Sequence, residues 1–490
     1  MLRYRLITAF ALGLASAIAS GAESTPCRVP GIAQQIVCGS ILRPLDPQRP
    51  GYSSIEIRYA IVPALARNKR PDPVLLLAGG PGQSAIALAP AVLPLLSRLN
   101  NRRDLIFVDQ RGTGRSAPLE CKSDTDKPIS AQFDITAQRR LLAECRHALA
   151  RLPYLKSEQD LRFFTTTIAM GDIDAVRRQL GIQQLNLIGA SYGSRAALEL
   201  MRLYPATVRR TVLDGVAPPD MALPASMSID SQRALDAMFV SCLHAADCAA
   251  TYPRLRADWD RLLASMPQTI ELRDPRNGRI DTLRLDRDIV LGMVRGPLYL
   301  PIAASALPAA INAAANGRFE PLAALATMLQ PRPERHQHEG IAEGMHFSVV
   351  CSEDAPRLDS STDQAGRDFG TSMREAYRKI CADWPRGAVD PAYYRIPPST
   401  SAVLMFSGGL DPATPPRHGD DVLRQLGAKA SHRVIANAGH GLLSIGCARD
   451  VVFRFVDAST DADALGVDSR CVEAIPRPPA FLPPASSAPQ

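Results

Sequence analysis

Ser191 is the residue whose setting most directly suggests chemistry. The segment LNLIGASYGSRAALELM, residues 185–201, carries it in a turn of small residues between an apolar run and a helical pattern. A nucleophilic serine on such a turn has a strained, closely packed backbone, so its neighbours must be small, as Gly189, Ala190 and Gly193 are. The G-x-S-x-G spacing alone is weak and also fits an ordinary turn. The strand before it and the helix after it favour Ser191 as a nucleophile.

A neutral serine needs a base, and His440 is the histidine best placed to be one. It lies in NAGHG, directly after the last expected strand, and Asp411 lies in SGGLDPATPP, just after the strand expected before that. The order Ser, acid, His along the chain is one of the known orders for this catalytic group. His440 would accept the serine proton, and Asp411 would orient the imidazole and stabilise its charge. Asp214, which follows the strand after the Ser191 helix, is the alternative acid.

Catalysis by Ser191 also requires N–H groups aimed at the negative charge that develops on the substrate oxygen. One is expected from Tyr192, the residue after the nucleophile. The other is expected from AGGPGQS, residues 78–84, where Pro81 has no N–H and Gly80 is the best donor. A plain Gly/Pro turn is the alternative, but this turn follows an early strand, where such a donor is needed.

The segments around these residues alternate between strands and helices. Short continuous apolar runs, which suit central strands of a parallel sheet, occupy Val74 to Ala78, Leu105 to Val108 and Leu185 to Gly189. A helix is expected from about Thr167 to Leu180, ended by Gly181. This alternation predicts an α/β fold with a mostly parallel sheet.

The alternation stops between residues 217 and 399, where Ala, Leu, Arg and Pro dominate with helical periodicity. It returns at SAVLMFSGGLDPATPP and continues with a helix, a strand and a final helix. We therefore divide the chain into two core segments, 23–216 and 400–475, separated by a mainly helical insertion, 217–399. The Pro-rich tail, 476–490, has a composition typical of disorder.

The N-terminus has the three regions of a secretory signal peptide. Arg3 and Arg5 precede an apolar run from Leu6 to Ala19, and small residues follow, so residues 1–22 are expected to be removed. An uncleaved anchor is the alternative, but the run is short for spanning a bilayer. All ten cysteines follow this segment, and in an exported protein they indicate disulfides, whose connectivity stays open. We expect export to the periplasm or the medium, without a stable membrane anchor after cleavage.

Charge and ligand spacing argue against several other classes of function. The net charge is +7 over 490 residues, and no basic run has interleaved aromatic residues, so nucleic-acid binding is not expected. No cysteine or histidine spacing is typical of a zinc site. The HQHE segment, residues 336–339, places two histidines two residues apart, which is off a single helix face and fits a solvated loop better. We expect neither a metal nor a cofactor.

Five segments, in order along the chain, resemble one family. GGPGQS, DQRGTGRS, GASYGS, GGLDPATPP and NAGHG together are similar to the α/β-hydrolase serine peptidases that include prolyl iminopeptidases and secreted tripeptidyl aminopeptidases. The resemblance covers roughly Val74 to Asp214 and Ser401 to Asp457, and it implies an α/β-hydrolase fold in which the insertion is a lid. Ala78 stands where prolyl iminopeptidases usually have His, which favours the tripeptidyl branch. In this family DQRGTGRS is structural support, and Arg111 and Arg115 could pair with buried carboxylates.

The resemblance implies an aminopeptidase, which must bind the α-ammonium group of its substrate with acidic residues. Glu353 and Asp354, in HFSVVCSEDAPR at residues 346–357, are the candidates, and a structural carboxylate pair is the alternative. The expected function is therefore release of N-terminal residues or tripeptides from short peptides through an acyl-enzyme on Ser191. A serine esterase with the same catalytic residues is the second hypothesis, because the fold hosts many chemistries.

Overall fold

The computed structural model describes residues 24–121, 130, 135–328 and 340–482. The expected signal peptide at 1–22, the HQHE segment at 336–339 and the end of the tail from residue 483 lie outside these ranges. No helix within them is long and apolar enough to cross a membrane.

A large sheet forms the centre of the protein. The described strands are β1 (Thr25–Cys27), β2 (Ile36–Pro44), β3 (Ser54–Val62), β4 (Val74–Leu77), β5 (Leu105–Val108), β6 (Leu185–Ala190), β7 (Val208–Asp214), β8 (Gln268–Arg273), β9 (Ile280–Leu285), β10 (Ala402–Gly408) and β11 (Ala430–Ile435). Nine of them form one sheet in the order β1-β2-β3-β5-β4-β6-β7-β10-β11. The strands from β5 to β11 in this order run parallel, and β1 to β3 form an antiparallel edge. The prediction of a mostly parallel sheet is confirmed.

Helices of the two core segments cover both faces of this sheet, and further helices form the insertion. They are α1 (Ala85–Val92), α2 (Ser97–Asn100), α3 (Ile135–Leu149), α4 (Thr166–Gln179), α5 (Tyr192–Leu203), α6 (Ala225–His244), α7 (Ala246–Thr251), α8 (Leu255–Ala264), α9 (Arg287–Leu298), α10 (Pro301–Ala304), α11 (Leu307–Ala315), α12 (Glu320–Thr327), α13 (Glu343–Glu353), α14 (Ser372–Asp383), α15 (Pro416–Leu426), α16 (Ala448–Asp457) and α17 (Asp461–Leu465). The predicted helix at 167–180 is α4, one residue earlier at each end.

Successive residues of the central strands pack into different hydrophobic cores. In β4, Leu75 and Leu77 belong to one core, whereas Val74 and Leu76 belong to the other. A strand that is buried on both faces has no position for an exposed polar side chain. This is why β4 and β5 appear in the sequence as unbroken apolar runs.

The insertion is mainly helical, as predicted, and contains α6 to α14. It has a hydrophobic core of its own around the fully buried Trp259. It also contains an antiparallel hairpin, β8–β9, that was not predicted. The hairpin buries Leu272, Leu283 and Leu285 and exposes most of its other residues, so its apolar signal is too sparse to stand out in a helical region.

All ten cysteines form disulfides with their neighbours in sequence. The pairs are Cys27–Cys38, Cys121–Cys145, Cys242–Cys248, Cys351–Cys381 and Cys447–Cys471. The sequence left this connectivity open. One pair, Cys351–Cys381, ties α13 to α14 inside the insertion.

Candidate active site

Ser191 lies at the joint between β6 and α5, with φ 55° and ψ −124°. A positive φ is uncommon for a residue other than glycine, and it represents backbone strain of the kind found at functional turns. Hydrogen bonds hold the turn in place: the Ser191 N–H donates to the Asp214 carbonyl at 2.8 Å, and the Ser194 hydroxyl donates to the Ser191 carbonyl at 2.6 Å. The strand, turn and helix expected around the serine are therefore present.

Glycines allow the close packing around this turn. A Cβ atom on Gly193 would lie 2.0 Å from the Leu77 carbonyl oxygen, and one on Gly189 would lie 2.3 Å from the Gly193 carbonyl oxygen. No side chain fits at such distances, so both positions require glycine. Helix α5 consequently starts directly against the end of β4, at the same edge of the sheet as Ser191.

His440 is hydrogen-bonded to Asp411. Its Nδ1 lies 2.7 Å from Asp411 Oδ2, and the Asp411 side chain is fully buried. The carboxylate also accepts hydrogen bonds from the N–H groups of Ala413 and Thr414, at 2.8 and 2.9 Å, and from the Thr414 hydroxyl at 2.8 Å. Because Nδ1 is engaged, the imidazole presents Nε2 as its second nitrogen.

The end of β7 and the loop after it contact both Ser191 and His440. The carbonyl of Asp214 accepts from the Ser191 N–H, and a Cβ atom on the next residue, Gly215, would lie 3.3 Å from His440 Cε1. The carboxylate of Asp214 accepts instead from the N–H groups of Leu442 and Leu443, at 2.8 to 2.9 Å. Of the two candidate acids, Asp411 contacts the imidazole of His440. Asp214 instead binds the backbone that follows His440 in the chain.

Burial and charge act in opposite directions on this group. Burial opposes ionisation of Asp411, but His440 and two backbone N–H groups lower the pKa of its carboxyl below the usual value. Burial also opposes the imidazolium, yet the neighbouring Asp411 carboxylate raises the pKa of His440. The pair is thus an ionised carboxylate beside an imidazole of increased basicity, as general-base catalysis requires. Within the described ranges, no group of His, Cys, Asp or Glu side chains is arranged to hold a metal ion.

The loop at residues 79–83 lies against Ser191. A Cβ atom on Gly79 would lie 3.3 Å from Ser191 Cβ, so the loop backbone approaches the serine closely. Gly80 follows with a φ of 111°, in the region that favours glycine. The N–H of Tyr192 belongs to the first turn of α5, where a helix leaves its N–H groups without internal partners. Gly80 is in this loop and Tyr192 follows the serine, so both residues expected to supply the N–H donors are neighbours of Ser191.

The DQRGTGRS segment supports the same loop. Asp109 accepts from the Ser84 hydroxyl at 2.6 Å and the Ile86 N–H at 3.1 Å, which fixes the start of α1. The buried Arg111 donates to both carboxylate oxygens of Asp172, at 2.7 and 3.1 Å, as predicted. Arg115 is exposed and forms no ion pair among the described residues.

A model of the alpha/beta hydrolase fold matches residues 72–445, which is most of the chain. The chain belongs to the alpha/beta hydrolase family. Serine protease Hip1 of Mycobacterium tuberculosis is 27% identical to this hydrolase over 443 residues, 82% of each chain. Tripeptidyl aminopeptidase of Streptomyces lividans is 28% identical over 222 residues, 43% of this chain and 41% of that one. Carboxylesterase B of Mycobacterium tuberculosis is 26% identical over 430 residues, 80% of this chain and 78% of that one.

The family and these relatives identify the protein as a serine hydrolase. The resemblance that the five motifs suggested is confirmed at this level. The motifs also fall inside the matched region, from GGPGQS to NAGHG.

In this hydrolase, Glu353 is an internal anchor for the residue after the serine. Its carboxylate accepts from the Thr166 N–H at 2.7 Å, the Thr166 hydroxyl at 2.9 Å and the Tyr393 hydroxyl at 2.5 Å. The Thr166 hydroxyl is also 2.8 Å from the hydroxyl of Tyr192. Glu353 therefore fixes, through Thr166, the side chain of Tyr192.

Asp354 is equally enclosed. Arg195 donates to both of its oxygens, at 3.0 and 3.1 Å, and lies 4.0 Å from Glu353. Burial raises the pKa of Glu353 to about 7 and also raises the pKa of Asp354. Their side chains are only 1% and 0% exposed. This burial does not favour the predicted direct contact with a substrate amine and corresponds to the alternative, a structural carboxylate pair.

Glu343 is an acidic residue that the sequence analysis did not single out. It starts α13 directly after Ala342, whose N–H donates to the carbonyl of Gly82 at 2.9 Å, in the loop beside Ser191. Its side chain is exposed, yet desolvation by the surrounding protein raises its pKa. It has no hydrogen bond or ion pair to any described residue. The contact between loop 79–83 and α13 is long-range, so no local pattern reveals it.

The insertion also forms part of the wall around His440. The His440 N–H donates to the Tyr299 carbonyl at 2.9 Å, and the two rings meet edge to face with 5.2 Å between their centroids. Arg295, one turn earlier, donates to the Tyr299 hydroxyl at 2.7 Å. The sequence analysis missed both residues, because no local sequence pattern links the end of α9 to the NAGHG loop.

Proposed function

We propose that the protein is an exported serine aminopeptidase that releases N-terminal residues or tripeptides from short peptides. The observation that carries the proposal is the 2.7 Å contact between Asp411 and His440 beside the end of β7, to which the strained Ser191 turn is hydrogen-bonded. The similarity to a tripeptidyl aminopeptidase and a serine protease supports peptides as the substrates.

The reaction would proceed through an acyl-enzyme. His440 takes the proton of Ser191 as the serine oxygen attacks the scissile carbonyl, and the N–H groups of Gly80 and Tyr192 stabilise the oxyanion. His440 then gives the proton to the leaving amine, while Asp411 stabilises the imidazolium. Water, activated by the same base, releases the N-terminal product and restores the serine.

Glu343 is the carboxylate that we assign to the substrate amine. Glu353 and Asp354 already accept hydrogen bonds from protein donors, whereas Glu343 has no such partner among the described residues. An exposed carboxylate with a raised pKa gains from an ammonium partner, because the pair offsets the cost of desolvation. Glu353 and Asp354 then contribute by holding the turn that carries Tyr192.

Replacement of Glu343 by Gln tests this assignment. We expect KM for a free-amine tripeptide chromogen to rise about tenfold or more, the effect of losing a charge-assisted hydrogen bond. Hydrolysis of a short p-nitrophenyl ester should change little. Glu320→Gln is the matched control, because Glu320 is also exposed in the first turn of an insertion helix, α12. Equal losses on peptide and ester would remove Glu343 from this role.

Hydrolysis of carboxylic esters is the second candidate function, and the similarity to carboxylesterase B favours it. The same Ser191, His440 and Asp411 would act on an ester, with an alcohol as the leaving group. The two candidates differ in their need for an α-ammonium group on the substrate. An esterase would cleave N-acetylated and free-amine substrates at similar rates.

Export is part of the proposal. All ten cysteines are paired in disulfides, which persist in oxidising compartments, and the N-terminal segment has signal-peptide composition. Expression of the full chain in a bacterium should yield a mature protein that starts after Ala19 or Ala22, in the periplasm or the medium. A cytoplasmic protein that retains Met1 would contradict this part.

A further inference from the structure

A cavity of about 520 Å³ lies between helices α6, α9 and α14 of the insertion and helix α3 of the core. Its charged lining consists of three cations, Arg139, Arg295 and Lys379, and two acids, Asp288 and Glu375. Both acids already accept hydrogen bonds from hydroxyl groups at 2.8 Å. The lining therefore has an excess of positive charge and suits a ligand with a negative group.

Arg295 is the cation of this cavity that contacts Tyr299, the neighbour of His440. Its Nε donates to the Ser231 hydroxyl at 3.0 Å, and its Nη2 donates to the Tyr299 hydroxyl at 2.7 Å. Both partners are neutral, no carboxylate among the described residues pairs with it, and Nη1 makes no hydrogen bond to them. A guanidinium held in position with unused donors is well suited to bind a carboxylate.

The position of Arg295 relates it to the leaving group. Its guanidinium carbon lies 5.3 Å from the centre of the Tyr299 ring, and that ring lies 5.2 Å from the ring of His440. The amine of the leaving group must be close to His440, because it receives its proton there. Arg295 and His440 thus both contact Tyr299, and a leaving group that extends from His440 toward Tyr299 would meet Arg295. Glu343 instead follows Ala342, which binds the oxyanion loop.

We propose that Arg295 binds the C-terminal carboxylate of the substrate. The enzyme would then prefer short peptides that end, with a free carboxylate, a few residues beyond the scissile bond. The reaction remains a hydrolysis in which water adds across one peptide bond, and the leaving group departs as a free amino acid or short peptide. This inference deepens the proposed aminopeptidase function and depends on it.

The test compares tetra-alanine with its C-terminal amide, both with a free N-terminal amine. Product formation is followed by mass spectrometry, and kcat/KM is measured for each peptide. We expect the wild type to prefer the free acid by about tenfold or more, as a charge-assisted contact provides. In Arg295→Met the preference should fall to near one, and in Arg295→Lys it should persist in part. Arg287→Met is the control, because Arg287 is exposed on the same helix and does not line the cavity.

The ratio of acid to amide separates binding from general damage, since both peptides need the same catalytic residues. A wild-type ratio near one overturns the proposal without any variant. A ratio that collapses in Lys379→Met and not in Arg295→Met would also overturn it, because the carboxylate would then bind at another cation of the cavity. Failure of the proposed function looks different, because N-acetylated tetra-alanine would then be cleaved as fast as the free-amine peptide, or neither would be cleaved.

Discussion

Ser191 and His440 owe their expected reactivity to what surrounds them. The backbone of Ser191 keeps a positive φ, held by the bond from its N–H to the Asp214 carbonyl. His440 faces a carboxylate, Asp411, that four neighbouring donors keep ionised despite complete burial. The backbone strain at Ser191 and the desolvation of Asp411 are both present in the folded protein before substrate binds.

The pH profile follows from this environment. The base must be neutral, and the Asp411 carboxylate raises the pKa of His440 above 6.5, so kcat/KM should fall as the pH drops through a value above 6.5. Asp411→Asn removes that carboxylate, so the acidic limb should move to lower pH, while kcat falls about 10⁴-fold. Steady-state rates from pH 5 to 9 check both effects. An acidic limb that does not move in Asp411→Asn would show that Asp411 does not act on the base.

Helices α4, α5 and α13 are joined by a buried polar network. Glu353, the last residue of α13, binds Thr166 at the start of α4, and Thr166 contacts Tyr192 at the start of α5. Arg195 of α5 pairs with Asp354, immediately after α13. The insertion therefore supports α5, whose first N–H is the one assigned to stabilise the oxyanion.

The network makes a prediction about stability. An unfolded glutamate ionises near 4.5, whereas burial raises the pKa of Glu353 to about 7, so the folded protein binds an extra proton between these values. The stability that this proton contributes is lost as the pH rises from 4.5 through 7. Glu353→Gln cannot titrate, so its melting temperature relative to wild type should increase from pH 5 to pH 8. Two melting curves that stay parallel across this range would contradict a titrating Glu353.

Local sequence patterns predicted the elements that carry Ser191, Asp411 and His440. They did not predict the parts of the insertion that contact this site. The runs that became β4, β5 and β6 are buried on both faces, so they stood out in the sequence as mostly apolar segments, and β5 coincides with Leu105–Val108. Ser191, Asp411 and His440 lie directly or a few residues after the ends of β6, β10 and β11. Glu343, Arg295 and Tyr299 reach the site only through contacts between the insertion and the core, for which no local spacing exists.

Buried hydrogen bonds join the insertion to the core close to Asp411. Asp230 of α6, fully buried, accepts from Arg417 at 2.7 and 2.8 Å and lies 2.8 Å from Nε2 of His418, both on α15. The next residue, Ser231, donates to the carbonyl of Pro412 at 3.3 Å, beside Asp411. The insertion thus supports the acid loop as well as the His440 loop.

Loss of the Asp230 contacts should lower both the stability and the activity of the protein. Asp230→Asn weakens a buried charge-assisted contact, so the free energy of unfolding should fall by about 1–3 kcal/mol, with a smaller kcat because the Asp411 loop loses support. Urea denaturation and steady-state kinetics measure the two effects. The control is Asp236→Asn, on the same helix, whose carboxylate is 52% exposed. Equal effects of the two substitutions would show that Asp230 has no special part in joining the insertion to the core.

The decisive measurement compares a free-amine tripeptide p-nitroanilide with its N-acetylated form, using mature protein made in an oxidising compartment. The account predicts that the free-amine substrate is cleaved, that acetylation abolishes cleavage, and that Ser191→Ala lowers kcat by about a million-fold. Turnover that persists in Ser191→Ala would contradict the assigned nucleophile. Equal cleavage of both forms, or cleavage of a p-nitrophenyl ester alone, would contradict the aminopeptidase and leave a serine esterase.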